Sequence, residues 1–241
     1  MHETLEQDRI YVTVDMLILT VRDGKLNLLL SRRMNPPYAG RWALPGRFIG
    51  TEESAETAVR RLLEEMLPVE GAYLEQLYTF TDVNRDPRGR VISTAYLVIL
   101  SQRRLEALLR ERETSFLRFD IAEQDGLLLK GKDGTNLVGG DLAFDHSRII
   151  ETGIRRLRGK IDYTDVGFRF LNDPSAFSPG EQQTVFEAVL GKELDASNFR
   201  RFIRNRYEET GKISAINREE KAGRGRPAAL YQMKTEGGRE P

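Results

Sequence analysis

The sequence predicts a mixed α/β domain over residues 1–145, followed by a smaller domain of helices and a hairpin over residues 146–241. Three observations carry this reading. The first half runs strand, strand, loop, helix, strand, strand, and the last third holds two capped helical segments separated by a short turn. The length of 241 residues exceeds a usual domain of roughly 100 to 200 residues but leaves little room for three.

Hydrophobic residues make up 39% of the chain and charged residues 31%, enough apolar material for real cores beneath a strongly charged surface. The apolar run YLVIL is far shorter than the roughly 20 residues a membrane helix needs, and MHETLEQDR is too acidic to open a secretory signal. A cytoplasmic protein with no membrane partner is expected. The absence of cysteine excludes disulfides, thiolate metal sites and cysteine nucleophiles. The net charge is zero, yet residues 178–234 hold 11 Lys and Arg against 8 Asp and Glu, a locally basic composition suited to nucleic acid.

In order along the chain, IYVTVDMLILTV and KLNLLLSRR read as strands joined by Arg22-Asp23-Gly24, a hairpin signal. MNPPYAGRWALPGRFIG holds three prolines and three glycines and is expected to be a long loop that aims backbone and side chains. From Ser54 the apolar stripe Ala55, Ala58, Val59, Leu62, Leu63 and Met66 has helical spacing, ending before Pro68. EQLYTFTDV and RVISTAYLVIL read as strands around the turn-rich NRDPRG. After a Gly-rich patch, DHSRIIETGIRRLRGKI reads as a connecting helix, with His146 at its start.

The C-terminal punctuation is clear. Ser178 caps a helix with Pro179 at its first position and Glu181 at its third, and Gly191 ends it. Asp195 caps a second helix, ASNFRRFIRNRYEE, which Gly211 terminates. KISAIN and AALYQM then read as two strands around REEKAGRGRP, so the module is a winged helix-turn-helix.

Arg61, Glu64 and Glu65 are spaced i, i+3 and i+4 and share one face of the first helix. Paired carboxylates of that kind suit Mg²⁺ and phosphate chemistry. GRFIGTEESAETAVRRLLEEMLP resembles the Nudix box, G-x5-E-x7-R-E-U-x-E-E-x-G-U with U a large aliphatic residue: Gly46, Glu52, Arg60, Leu62, Glu64 and Glu65 match in register. With YAGRWALPG and the flanking strands, the resemblance covers about residues 10–145 and implies a Nudix-like sandwich.

Three departures from that pattern bear on function. Arg61 stands where the family has a glutamate that is usually a metal ligand, Leu67 replaces the box glycine, and Arg47 replaces the second glycine of Pro-Gly-Gly. Unit charges about 4 Å apart interact by roughly 4 kcal/mol at an effective dielectric near 20, so Arg61 opposes a divalent cation. No catalytic residue, bound metal or cofactor is therefore expected. Guanidinium groups hold phosphate oxygens bidentately, so Arg47 and Arg61 are candidate ligand residues together with Glu64, Glu65 and Trp42. Trp42 could stack on a base or pack in the core.

In the second module, Asn198, Arg200, Arg201 and Arg204 have the donor types that read base edges and clamp phosphates, while Phe199, Phe202, Ile203 and Tyr207 anchor the helix. Arg224 and Arg226 lie in GRGRP, which resembles the core of AT-hook peptides that enter narrow minor grooves. Taken together, with GFRFL, LDASNFRR and GRPAALYQ carrying the likeness, the halves resemble the Nudix-related transcriptional regulators of NAD metabolism. That resemblance implies a homodimeric repressor on palindromic operator DNA, released by ADP-ribose or a related nucleotide. An active ADP-ribose pyrophosphatase and a sugar-responsive regulator of the same architecture stay open as alternatives.

Overall fold

The computed structural model describes residues 9–66, 72–111, 116–123, 126–220 and 228–234. Leu67, Arg224 and Arg226 lie outside these residues. The chain divides into two compact units. One takes the first strand through Thr20 together with Leu26–Arg156; the other takes Val21–Lys25 and Leu157–Pro241.

The first unit is built on a mixed sheet of strands β1 (Tyr11–Arg22), β2 (Lys25–Arg32), β3 (Trp42–Ala43), β4 (Gly46–Phe48), β5 (Tyr73–Phe80), β6 (Val91–Ile99), β7 (Phe116–Glu123), β8 (Leu127–Gly131) and β9 (Asn136–Val138). The order is β5-β6-β1-β2-β7-β8-β9, with β3 on β2 and β4 on β1. β1 runs parallel to β6, while β4 lies antiparallel to β1. Asp23 and Gly24 both adopt positive φ, as a tight hairpin with right-handed strand twist requires. The Pro- and Gly-rich segment expected as one loop is pinned to the sheet by two short strands, which hold Gly46 opposite Asp15. A Cβ on Gly46 would fall 2.1 Å from the Asp15 carboxylate, so only glycine fits this register.

Helix α1 (Ala55–Met66) starts where Ser54 accepts the Thr57 N–H at 3.0 Å, a side-chain cap for one of the first orphan amides. Its apolar stripe then buries Ala58, Val59, Leu63 and Met66 against Val14, Met16 and Ile18 of β1 and Val98 of β6. Leu105 of helix α2 (Gln102–Glu111) joins the same core. Helix α3 (His146–Lys160) covers the other face, where a Cβ on Gly153 would lie 2.1 Å from Leu17 of β1 and 3.1 Å from Leu77 of β5. Among the described residues no helix is long and apolar enough to cross a membrane.

The second unit contains helices α4 (Pro179–Leu190) and α5 (Ala196–Ile203) and strands β10 (Ile213–Glu220) and β11 (Ala228–Met233). The Ser178–Glu181 capping box is closed in both directions, and Gly191 ends α4 in the left-handed conformation. Glu187 then accepts the Leu194 N–H at 2.9 Å while Gln183 donates to the Leu194 carbonyl at 2.9 Å, fixing the turn into α5. Regular α-helix stops at Ile203, and a π-helical turn carries Arg204–Glu208. Phe168, Phe177, Phe186, Phe199 and Tyr207 form the core, with Phe186 and Phe199 edge to face at 5.1 Å. Burial and the nearby Asp165 carboxylate push the Tyr207 phenol up to about 12, and its hydroxyl donates to the Thr164 carbonyl at 2.9 Å. β10 and β11 pair antiparallel as a wing, and Phe177 adds a bridge to Tyr231.

Candidate functional site

The outer face of α1 carries a cluster of ion pairs. Arg61 donates to Glu53 at 2.6 Å and to Glu65 at 3.3 Å, and Arg47 on β4 donates to both oxygens of Glu65 at 2.8 and 2.9 Å. Arg60 pairs with Glu56 one helical turn away at 2.8 Å. The Arg61 hydrogen bond and the Gly50 N–H draw the Glu53 carboxyl below its ordinary range, and Arg47 does the same for Glu65. Both acids are thereby held as carboxylates whose lone pairs are already engaged by guanidinium groups. Glu64 is exposed. Among the described residues no three acidic or histidine side chains stand together in a way that could hold a metal ion.

A polar cleft opens beside Arg47 and is lined by Thr13, Asp15, Arg33, Arg85, Asp86, Arg88 and His146, with Leu44, Gly46, Phe48 and Phe144. Its cations outnumber its carboxylates. Arg88 forks onto Asp86 at 2.9 and 2.6 Å, and its guanidinium lies 5.0 Å from the Phe48 ring and 5.3 Å from the Phe144 ring. Burial alone would raise the Asp86 carboxyl, but the Arg88 bonds and charge outweigh it and bring Asp86 below its ordinary value. Arg33 stacks on Phe144 at 4.6 Å and donates to the carbonyls of Pro37 and Asn35, which are neutral acceptors. Burial and the neighbouring Arg88 charge push the Arg33 guanidinium down, as expected for a cation without enough compensating charge. Phe144 holds a left-handed backbone, φ 54°, unusual for an aromatic residue.

Beneath the cleft lies a buried polar network. Asp15 accepts from the Ser93 hydroxyl, Arg85 lies 3.6 Å from Asp15 and forks onto Asp145 at 3.0 and 2.7 Å, and Arg85 itself is 3% exposed. His146 accepts the Leu44 N–H at Nδ1, 2.9 Å, so its proton sits on Nε2, which faces Asp15 at 3.7 Å. Burial pushes the His146 imidazole below its ordinary value despite the nearby Asp15 and Asp145 charges.

Of the sequence-predicted ligand residues, Arg47, Arg61 and Glu65 come together, and Arg47 alone of the five lines the cleft. Trp42 packs edge to face against Phe119 at 5.3 Å and does not line it. Sequence reasoning missed Arg33, Arg85, Asp86, Arg88 and Phe144. The only local signal for three of them was the density of Arg and Asp in NRDPRG, read there as turn chemistry.

In the second unit, Asn198, Arg200, Arg201 and Arg204 are all exposed on α5 and the turn that follows it, while Phe199, Ile203 and Tyr207 face inward. Asp195 caps α5 by accepting the Asn198 N–H at 2.8 Å. Arg201 donates to the Asn198 side-chain carbonyl at 3.0 Å, so the Asn198 amide N–H groups remain for an outside acceptor. Arg206 is turned back, donating to the Tyr163 carbonyl.

The fold and these two surfaces define a Nudix-type domain joined to a winged-helix module of the kind that binds DNA. Residues 11–133 match the NUDIX domain family, and residues 167–233 match the NrtR DNA-binding winged helix domain. The ADPR responsive transcriptional repressor NtrR of Acinetobacter baylyi is 32% identical over 92% of this chain and 81% of its own length. The chain belongs to this family of NrtR regulators. Shewanella oneidensis NrtR, in a crystal structure complexed with a 27mer DNA, superposes with a TM-score of 0.73 at 31% identity, covering 92% of this chain and 93% of that one. The ADP-ribose pyrophosphatase of Methanocaldococcus jannaschii is 30% identical over 64% of this chain and 82% of its own length, a likeness to an enzyme.

Proposed function

We propose that the protein is a transcriptional repressor of NAD metabolism genes that binds palindromic operator DNA as a homodimer and is released by ADP-ribose. The observation that carries it is the pairing of Arg61 with Glu53 and Glu65 in a Nudix box attached to a winged helix. A hydrolase needs the box carboxylates open to metal; here two arginines, Arg47 and Arg61, engage the box residue Glu65, which favours retention of a diphosphate ligand over its cleavage. The effector sits in the cleft beside Arg47, where Arg33, Arg47 and Arg88 supply cationic donors and Phe48 and Phe144 supply aromatic faces. Asn198, Arg200, Arg201 and Arg204 contact the operator from α5 and the turn after it, and Arg224 and Arg226 of GRGRP contact it as well. Such a repressor acts where the operator is, in the cytoplasm.

The relatives named above support the reading from both ends: one is named for its response to ADP-ribose, and another was crystallised on DNA. The test is a thermal-shift titration with ADP-ribose, with and without Mg²⁺, alongside detection of AMP. A stabilisation that does not need Mg²⁺, with turnover well below about 1 per second, supports it, because selective binding to the native state raises the melting temperature. Stabilisation by a pentose or its phosphate but not by ADP-ribose overturns the effector assignment.

A further inference from the structure

We infer that Arg85 is the positioning residue through which occupancy of the cleft reaches α3. This rests on the cleft being the effector site.

Arg85 stands in the loop between β5 and β6 and lines the cleft, yet its side chain is 3% exposed. It forks onto Asp145 with Nη2 at 2.7 Å and Nε at 3.0 Å. Asp145 is the residue from which α3 begins: its carbonyl accepts the N–H groups of Arg148 at 3.0 Å and Ile149 at 3.3 Å. The first residue of the helix, His146, is fastened in turn to the Leu44 amide and faces Asp15. The start of α3 is therefore held to the cleft floor by charge rather than by apolar packing alone.

Further along, α3 packs closely on the sheet: the Leu17 side chain occupies the space a Cβ on Gly153 would need. The helix then leaves the first unit, which ends at Arg156, and Leu157 onward belongs to the second. α3 is thus the element shared by the unit with the cleft and the unit with the winged helix.

A buried guanidinium cannot satisfy two competing anions in the same fork geometry. A diphosphate brings more negative charge to Arg85 than the Asp145 carboxylate it forks onto, with Asp15 already 3.6 Å away, so in the occupied cleft the Arg85 guanidinium turns toward the ligand and its grip on Asp145 weakens. That gives the ligand a different affinity for the two arrangements of the α3 start, the requirement for any ligand-driven shift.

The test uses the full chain, operator DNA and ADP-ribose. Asp145→Asn keeps the side-chain volume and one acceptor, removes the charge Arg85 grips, and leaves the cleft lining intact. In the unmodified protein, saturating ADP-ribose is expected to weaken DNA binding by about 5- to 150-fold; in the variant that factor should fall below about 2 while ADP-ribose still binds. A variant that binds ADP-ribose and keeps the full factor overturns the proposal. Should the variant fold poorly, hydrogen exchange on the unmodified protein decides. Faster exchange of the Arg148 and Ile149 amides on adding ADP-ribose supports it, and unchanged or slower exchange overturns it. If the unmodified protein binds ADP-ribose with no loss of DNA affinity, the effector reading itself has failed.

Discussion

Arg47 reaches across from β4 to α1 and donates from one nitrogen to both carboxylate oxygens of Glu65, at 2.8 and 2.9 Å. Arg61 meets the same carboxylate from the helix side at 3.3 Å. Two positions at which the chain departs from the Nudix box therefore converge on one of the residues it retains. The departures act together, neutralising a carboxylate that would otherwise be available to a cation.

Arg61→Glu removes the cation that engages Glu53 and Glu65 and adds an acid to the same helical face. Calorimetry with Mn²⁺ should show affinity at least about tenfold higher than in the unmodified protein, since screening even three quarters of the charge repulsion leaves more than 1.4 kcal/mol. Equal Mn²⁺ affinity would mean that Arg61 does not control the site. Hydrolysis need not return with metal affinity, because Arg47 still holds Glu65.

Arg33→Gln tests the cleft as an anion site. Arg33 stacks on Phe144 and its described bonds end on neutral carbonyls, so its charge remains for a ligand. Loss of a charge-assisted bond should weaken ADP-ribose binding by about 1.5 to 3 kcal/mol, measured by calorimetry. Trp42→Phe, at a residue outside the cleft, should change it little. The reverse ranking would restore Trp42 as the ligand residue and discard Arg33.

How legible these features were depends on the range of the interaction that makes them. The Ser178 and Asp195 caps, the Gly191 stop and the Asp23-Gly24 turn follow from neighbours within a few residues, and sequence spacing carries that information. The Arg85–Asp145 pair spans 60 positions and the Leu44–His146 bond 102, so no local pattern announces either. His146 was legible as a helix start but not as a buried neutral imidazole, because its burial comes from β1 and the loop before β4. The helix and strands between residues 102 and 138 were also missed, although Leu105 and Leu109 of α2 stand at helical spacing. The charge of Arg61 was anticipated as a conflict with metal, while its ion pairs with Glu65 and with Glu53, one position from the box glutamate Glu52, were not.

His146 also sets a pH dependence. Its folded-state value lies below the ordinary 6.5, so between the two the unfolded chain binds a proton that the folded one refuses. Stability should be full above about pH 6.5 and decline as pH falls toward the folded value. In His146→Asn the amide oxygen can still accept the Leu44 N–H, and the drop in melting temperature between pH 7.5 and 5.5 should shrink. An unchanged drop would show that other groups, not this imidazole, carry it.

On α5, Arg201 and Asn198 are joined by a 3.0 Å hydrogen bond and should act as a unit toward DNA. Ala at Arg200 or Arg201 should cost about 1 to 3 kcal/mol in operator affinity where it reads a base, with discrimination relaxed at that position. A double-mutant cycle on Asn198 and Arg201 should show at least about 0.5 kcal/mol of coupling. Unchanged operator affinity in a folded Arg200→Ala, Arg201→Ala double variant would remove α5 as the reading helix.

The most direct measurement is a reciprocal titration: operator DNA affinity with and without saturating ADP-ribose, and ADP-ribose affinity with and without operator DNA, at one salt concentration. Linkage requires both factors to be equal, and a coupling of roughly 1 to 3 kcal/mol predicts about 5- to 150-fold weaker binding in each direction. ADP-ribose that binds the free protein and the DNA complex equally well would contradict the account, whatever the affinity of either site.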